Sequence, residues 1–363
     1  MSERLLVPGA YGVLAVVLAI VAMIPSLRPA GWSTTVLPRG GANTPMGREA
    51  TAIDPSFRLV DQGSYDGQFY WGIAVDPIAR GNVHDSFDTA SYRYGHPLFG
   101  WLGWLASAGQ ARAAAPALAV LGVLSLFAAA AAAAALGLAV GRTAAAALFV
   151  ALNPGLLYAA DHDLAEPLCV ALLLTALYGY VRERRTLMLV SLALLPLAKE
   201  TLVLVPLALA ASQRVRRVAR LRDLAWLAAT VLPAVAWWSY ARVTLGGWFT
   251  SGDTALGAPF AGWARALVDA GRHSYDADAG LNQLGEATIV VLVVLLAVLA
   301  LGGLSALRRR GPIDLVYLAL AAVALCLAPI ATVLLRDALR NTAILLALVP
   351  FVAAVEYSPS WSR

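Results

Sequence analysis

Ten stretches of this chain stay apolar over lengths that approach or reach the thickness of a bilayer: residues 5–25, 113–139, 143–160, 164–181, 186–198, 201–213, 223–245, 287–306, 313–333 and 341–356. A helix needs about 20 apolar residues to cross the hydrocarbon core, where every backbone polar group must be bonded within the protein. The balance of side chains agrees. Only 13% of the 363 residues are charged and 60% are hydrophobic, whereas a soluble domain carries roughly 25% charged residues to face water. The sequence therefore predicts an all-α, polytopic transmembrane helix bundle of about ten spans.

Basic residues set the orientation. Arg142, then Arg182, Arg184 and Arg185, then Arg214, Arg216, Arg217, Arg220 and Arg222, then Arg308 to Arg310 all fall between apolar runs. With ten spans and the N-terminus inside, every cluster lies on the cytoplasmic side, as the positive-inside bias requires. The net charge of +5 is thereby explained by orientation, and no nucleic-acid partner is expected. Residues 5–25 lack a small-residue cleavage site and read as an uncleaved first span. Cys169 and Cys326 both sit in apolar runs, where thiols act as small hydrophobes.

The chain divides accordingly: 1–25, the first span; 26–112, a large extracytoplasmic loop; 113–245, a transmembrane core; 246–286, a second outer loop; 287–363, the C-terminal spans. Within the core, 186–198 and 201–213 are too short to cross alone, and Lys199-Glu200 joins them. One continuous helix would hold both charges at mid-membrane, where a charge costs about 2.5–3.5 kcal/mol on insertion scales. Two short helices meeting at a polar cavity are expected instead. Ala128–Ala135 gives one helix a smooth face on which neighbours pack closely.

Two aromatic stretches stand out in the first outer loop, "SYDGQFYWGIAVDP" (64–77) and "YRYGHPLFGWLGWL" (92–105). Their mixture of rings and polar residues suits the headgroup level, so both read as interfacial helices. Asp66, Tyr70, Ile73 and Ala74 form an acid–x3–tyrosine–x2–Ile-Ala pattern. His96-Pro97-Leu98-Phe99 follows, then Asn153-Pro154 at a helix end and Glu166 opening the next helix. In this order, over roughly residues 60–210, the set resembles the GT-C superfamily of polyprenyl-phosphate-sugar glycosyltransferases, and is closest to bacterial relatives of the GPI-anchor second mannosyltransferase. The resemblance implies an inverting hexosyltransferase in the plasma membrane, with both termini cytoplasmic and its active site outside. It would move a sugar, with mannose favoured, from a polyprenyl-phosphate donor to a hydroxyl on a lipid or glycan acceptor, as part of cell-envelope glycan biosynthesis. No cofactor is implied, since the lipid-linked sugar is itself the activated substrate.

Such a reaction needs a base for the acceptor hydroxyl and cations or donors for the departing phosphate. Asp66 is the candidate base, although Asp-Gly is also a common turn dipeptide; Asp61 and Asp76 are the runners-up, with Asp76 before Pro77 also reading as a helix end. Arg93, His96, Lys199, Arg336 and Arg340 are the candidate phosphate ligands. Arg336 and Arg340 are four apart, so they share a helix face, within a segment (335–341) that reads as an outer link between the last two spans. Tyr70, Gln68, Asp76, His162 and Glu166 are the candidate pocket-lining residues. Asp163, three before Glu166, reads as a helix cap. "DHD" at 161–163 has no metal-ligand spacing with its neighbours, and no metal is expected. Trp248, Trp263, His273, Tyr275, Asp276 and Asp278 mark the second outer loop without a motif. Two rival readings keep the same architecture: a transporter or lipid-linked-sugar flippase built around the broken helix at Lys199-Glu200, and a non-catalytic subunit of an envelope-glycan assembly complex.

Overall fold

The computed structural model of the protein describes residues 3–215, 221–252, 255–272 and 284–352. Within these the chain is helical throughout. α1 (Glu3–Leu27) places Ala15, Ala19 and Met23, spaced four apart, in the core, while Val13, Val17, Ile20 and Val21 are left outward. Four helices follow before the next long one: α2 (Pro45–Ile53), α3 (Gly67–Val75), α4 (Ala90–Arg93) and α5 (Leu98–Ala106). α6 (Ala111–Ala139) is the central element, packed against α1. The alanine run supplies its close face: Ala129, Ala130, Ala133 and Ala134 are fully buried, as small side chains at i, i+1, i+4 and i+5 allow two backbones to approach.

α7 (Leu148–Ala151) and α8 (Pro154–Asp161) belong to one apolar segment bent by 51°. The bend has a local cause. The Asn153 side chain accepts from the N–H groups of Gly155 and Leu156, with Pro154 in the first turn, so a new helix starts there. α9 (Glu166–Val181) packs on α6, and α10 (Arg185–Ala198) packs on α9. At Lys199 the backbone is extended (φ −158°, ψ 122°). A single 3-10 turn over Glu200–Val203 then leads into α11 (Leu204–Val215).

α12 (Leu221–Ala229), α13 (Leu232–Leu245), α14 (Ala261–Arg272), α15 (Ala287–Arg309), α16 (Pro312–Leu325) and α17 (Leu335–Leu348) complete the order. Among the described residues four helical segments are long and apolar enough to cross a membrane, Leu6–Leu27, Ala111–Ala139, Leu224–Leu245 and Ala287–Arg309, or five if the bent pair is one span. Four more apolar helices are shorter. The sequence places a span at 313–333 and a loop at 335–341. Instead α16 stops at Leu325 and α17 already begins at Leu335. The early start is stable because Leu335 and Ala338 are buried and the charges of that turn find partners across the molecule.

Of the two aromatic stretches expected at the headgroup level, the first is packed inward, while the second leaves Trp104 and Leu105 exposed. Phe69, Tyr70, Trp71 and Ile73 of α3 are all buried, against α5 and α6; Trp71 meets Phe57 edge to face. Rings of this size contribute more by filling the interior than by anchoring to lipid. Arg216, Arg217, Arg220, His273, Tyr275, Asp276 and Asp278 lie outside the described residues.

Candidate functional site

Asp66 takes the N-cap position of α3, but its side chain makes no capping bond. Both carboxylate oxygens are held by arginines. Arg93 donates from Nη1 to Oδ1 at 2.9 Å, and Arg340 donates from Nη1 to Oδ2 at 2.9 Å. Burial pushes this carboxyl up, but Arg340 and Arg93 outweigh it and hold the group well below the ordinary carboxylate range. Asp66 is thus an anion at any neutral pH.

Two close approaches bring these elements together. A side chain at Gly67 would run into the carbonyl of His162, and one at Gly155 into the backbone of Leu339. The first contact seats the start of α3 on the 162–165 loop; the second lets α8 lie directly on α17. Asn153 also donates to the carbonyl of Ala343 at 3.0 Å. α17 is thereby positioned so that Arg340 reaches the first loop.

From Asp66 the charges alternate. Arg340 Nε lies 3.4 Å from Glu166 Oε1, and Lys199 donates to the same oxygen at 3.2 Å. His96 Nδ1 is 2.9 Å from Glu200 Oε2. Lys199 and Glu200 are adjacent in sequence yet take different partners, because the extended residue at the helix break throws the two side chains apart. His96 is fixed from behind: Trp237 and Trp238 of α13 donate to the carbonyls of Tyr94 and Gly95 at 2.6 and 2.8 Å.

These residues border two connected spaces. The main cavity, about 340 Å³, has a polar floor of Asp66, Arg93, Lys199, Glu200, Asp337 and Arg340. The rest of its lining is largely apolar, with Leu320, Val323, Leu327, Ile330, Ile344 and Leu345 from α16, α17 and the turn between them. A second chamber, about 40 Å³, shares Asp66, Arg93, Lys199, Glu200 and Arg340 with it and is further lined by Tyr70, His96 and Glu166. A lining that combines ionic and apolar side chains suits an amphiphile with an anionic head. Among the described residues no three His, Cys, Asp or Glu side chains converge as a metal site requires.

Asp66, Arg93, His96, Lys199, Arg340, Tyr70 and Glu166 are therefore brought together. Arg93, however, is not placed to receive a phosphate. Its Nε and Nη2 donate to Asp88 at 3.0 and 2.7 Å, Nη1 serves Asp66, and its guanidinium lies 4.1 Å from the Phe69 ring centre. With three of its five donors committed to carboxylates, Arg93 orients Asp66. Lys199 has three donors and Arg340 five, so these two retain capacity for an anion.

Five expectations are corrected. Gln68 accepts from Thr44 at 3.4 Å, away from both spaces. Asp76 caps α3 and gathers the backbone N–H groups of Arg80 and Gly81 with His84, as its place before proline suggests. His162 stacks on Tyr158 at 3.9 Å, behind the Tyr65 ring, and does not line the pocket. Arg336 also stands behind Tyr65, 5.2 Å from the ring centre and 3.7 Å from Asp337. Asp163 caps nothing: Ala165 holds the N-cap position of α9 without a side-chain bond. The Asp163 side chain is fully buried at a left-handed φ of 48°, and burial raises its carboxyl well above the usual range. Asp61 is exposed.

Several participants carry no motif. Tyr65 lines the main cavity, donates to Asp337, and lies under the guanidinium of Arg340 at 5.0 Å. Glu200 and Asp337 are acids whose partners, His96 and Tyr65, are distant in sequence, whereas Asp88 pairs with Arg93 five residues on. Only adjacency to Asp66, Arg93, Lys199 and Arg336 could have flagged them.

No family model, curated protein or solved structure matches this chain.

Proposed function

We propose that the protein is an integral-membrane, inverting glycosyltransferase of the GT-C type. In this reading ten spans leave both termini in the cytoplasm and the cavity open to the outer face, where a sugar, with mannose favoured, passes from a polyprenyl phosphate to an acceptor hydroxyl. The observation that carries the reading is the Asp66 carboxylate bracketed by Arg93 and Arg340 at 2.9 Å each, in a cavity lined by both ionic and apolar side chains.

The chemistry follows from those positions. The isoprenoid lies along the α16–α17 wall, and its phosphate meets Arg340 and Lys199 at the polar floor. A phosphate there competes with Asp66 and Glu166 for the two cations, which loosens Asp66 from Arg340 as the donor binds. The acceptor oxygen attacks the anomeric carbon from the face opposite the phosphate, and its proton passes to Asp66 as the new C–O bond forms. The old C–O bond breaks, and Arg340 and Lys199 stabilise the charge that develops on the leaving phosphate.

Transfer from radiolabelled polyprenyl-phosphate mannose to an added membrane-lipid extract, in proteoliposomes of wild type and Asp66→Asn, tests this. Transfer by wild type and a loss of about 100-fold or more in the variant are expected. Equal transfer by both removes Asp66 from the chemistry. The break at Lys199 between short apolar helices favours one rival, a flippase for the same lipid; labelled donor that crosses the bilayer with no product formed supports that rival.

A further inference from the structure

Asp66 poses a problem for the reaction just proposed, on which this inference rests. Each of its oxygens accepts from a guanidinium at 2.9 Å. A proton resting there would leave Arg93 and Arg340 facing a neutral acid, so it must move on. The second chamber offers a destination. Asp66, His96 and Glu200 all line it. Its volume of about 40 Å³ exceeds what one water needs, about 10–15 Å³. The other acid on its wall, Glu166, is already engaged by Lys199 and Arg340.

We infer that His96, supported by Glu200, is the acceptor to which Asp66 passes the reaction's proton through water in this chamber. His96 Nδ1 lies 2.9 Å from Glu200 Oε2, which leaves Nε2 as the nitrogen to take the proton. Tyr70 and Tyr92 meet the ring edge-on at 5.9 and 5.4 Å and hold its plane. In sequence, the acceptor hydroxyl gives its proton to Asp66 as the glycosidic bond forms. Protonated Asp66 gives it through water to Nε2 and returns to a carboxylate between the two arginines. His96 releases the proton after product leaves. His96 lines the chamber and not the main cavity.

Steady-state transfer by His96→Gln, Glu200→Gln and wild type, in proteoliposomes with labelled polyprenyl-phosphate mannose, distinguishes the roles. A relay predicts that His96→Gln lowers kcat about 100-fold with the donor KM within twofold. It also predicts a larger solvent deuterium isotope effect, and partial rescue of His96→Gly by added imidazole. Glu200→Gln lowers kcat less, in the same pattern, and keeps the test open if the histidine variants fail to fold. A raised KM at unchanged kcat would make His96 a phosphate ligand and overturn the relay, as would unchanged kinetics. No transfer by wild type would reject the glycosyltransferase reading itself, and the relay with it.

Discussion

At the scale of single residues, the site is a set of ions that neutralise one another until a ligand arrives. Arg340 is the shared member: it touches Asp66 and Glu166 and lies over Tyr65. The aromatic face holds the guanidinium in place by attraction to its cation, and the phenol is anchored by Asp337. Tyr65→Leu is therefore expected to raise the donor KM about tenfold, while Tyr65→Phe, which keeps the ring, stays within about threefold; equal kinetics for the two variants would contradict this role. The Asp66 pairs also fix a pH dependence. Because Arg340 and Arg93 hold the carboxyl below its ordinary range despite burial, the ionised pairs contribute stability that is complete above the usual aspartate value of about 4 and is lost as pH falls below it. Thermal melts in detergent should place Asp66→Asn below wild type by a constant margin from pH 8 to pH 5, narrowing only in stronger acid. A margin that already closes by pH 6 contradicts the assignment.

At the scale of elements, the site depends on backbone contacts that side chains would block. Gly67 sits against the carbonyl of His162, and Gly155 against the backbone of Leu339. Overpacking of this kind typically costs about 1–3 kcal/mol. Gly67→Ala should lower the melting temperature and also reduce transfer, since it moves Asp66 directly. Gly155→Ala should act through α17 and shift Arg340. Melting curves paired with initial rates test both; wild-type activity in Gly67→Ala would mean that the start of α3 is not fixed by this contact. The break between α10 and α11 works differently. It lets Lys199 reach Glu166 while Glu200 reaches His96, which an unbroken helix could not do.

At the scale of the whole molecule, Tyr65, Asp66, Asp88, Arg93, His96, Glu166, Lys199, Glu200, Asp337 and Arg340 line the two spaces, so the chain is closed upon itself around the site. The proposed topology puts Asp61 outside and Arg310 inside, and both are exposed. In a Cys169→Ala, Cys326→Ala background, Asp61→Cys should react with a membrane-impermeant maleimide on intact cells, and Arg310→Cys only after permeabilisation. The reverse pattern would put the cavity on the cytoplasmic face and rule out an extracytoplasmic reaction.

The sequence by itself determined the class of structure, because apolar runs leave a chain no alternative to helices in lipid. It also determined local breaks that short-range chemistry enforces: Asn153-Pro154 stops and restarts a helix, and a charged pair between two short apolar runs interrupts one at Lys199. Only the tertiary structure decided which ions share a partner. Arg93 is filled by Asp88, Arg336 is displaced behind Tyr65, and Asp163 is buried rather than capping a helix. The reason is physical. Periodicity and caps act over a few residues, whereas an ion's role depends on counter-ions that the fold brings from as far away as the 274 positions separating Asp66 from Arg340.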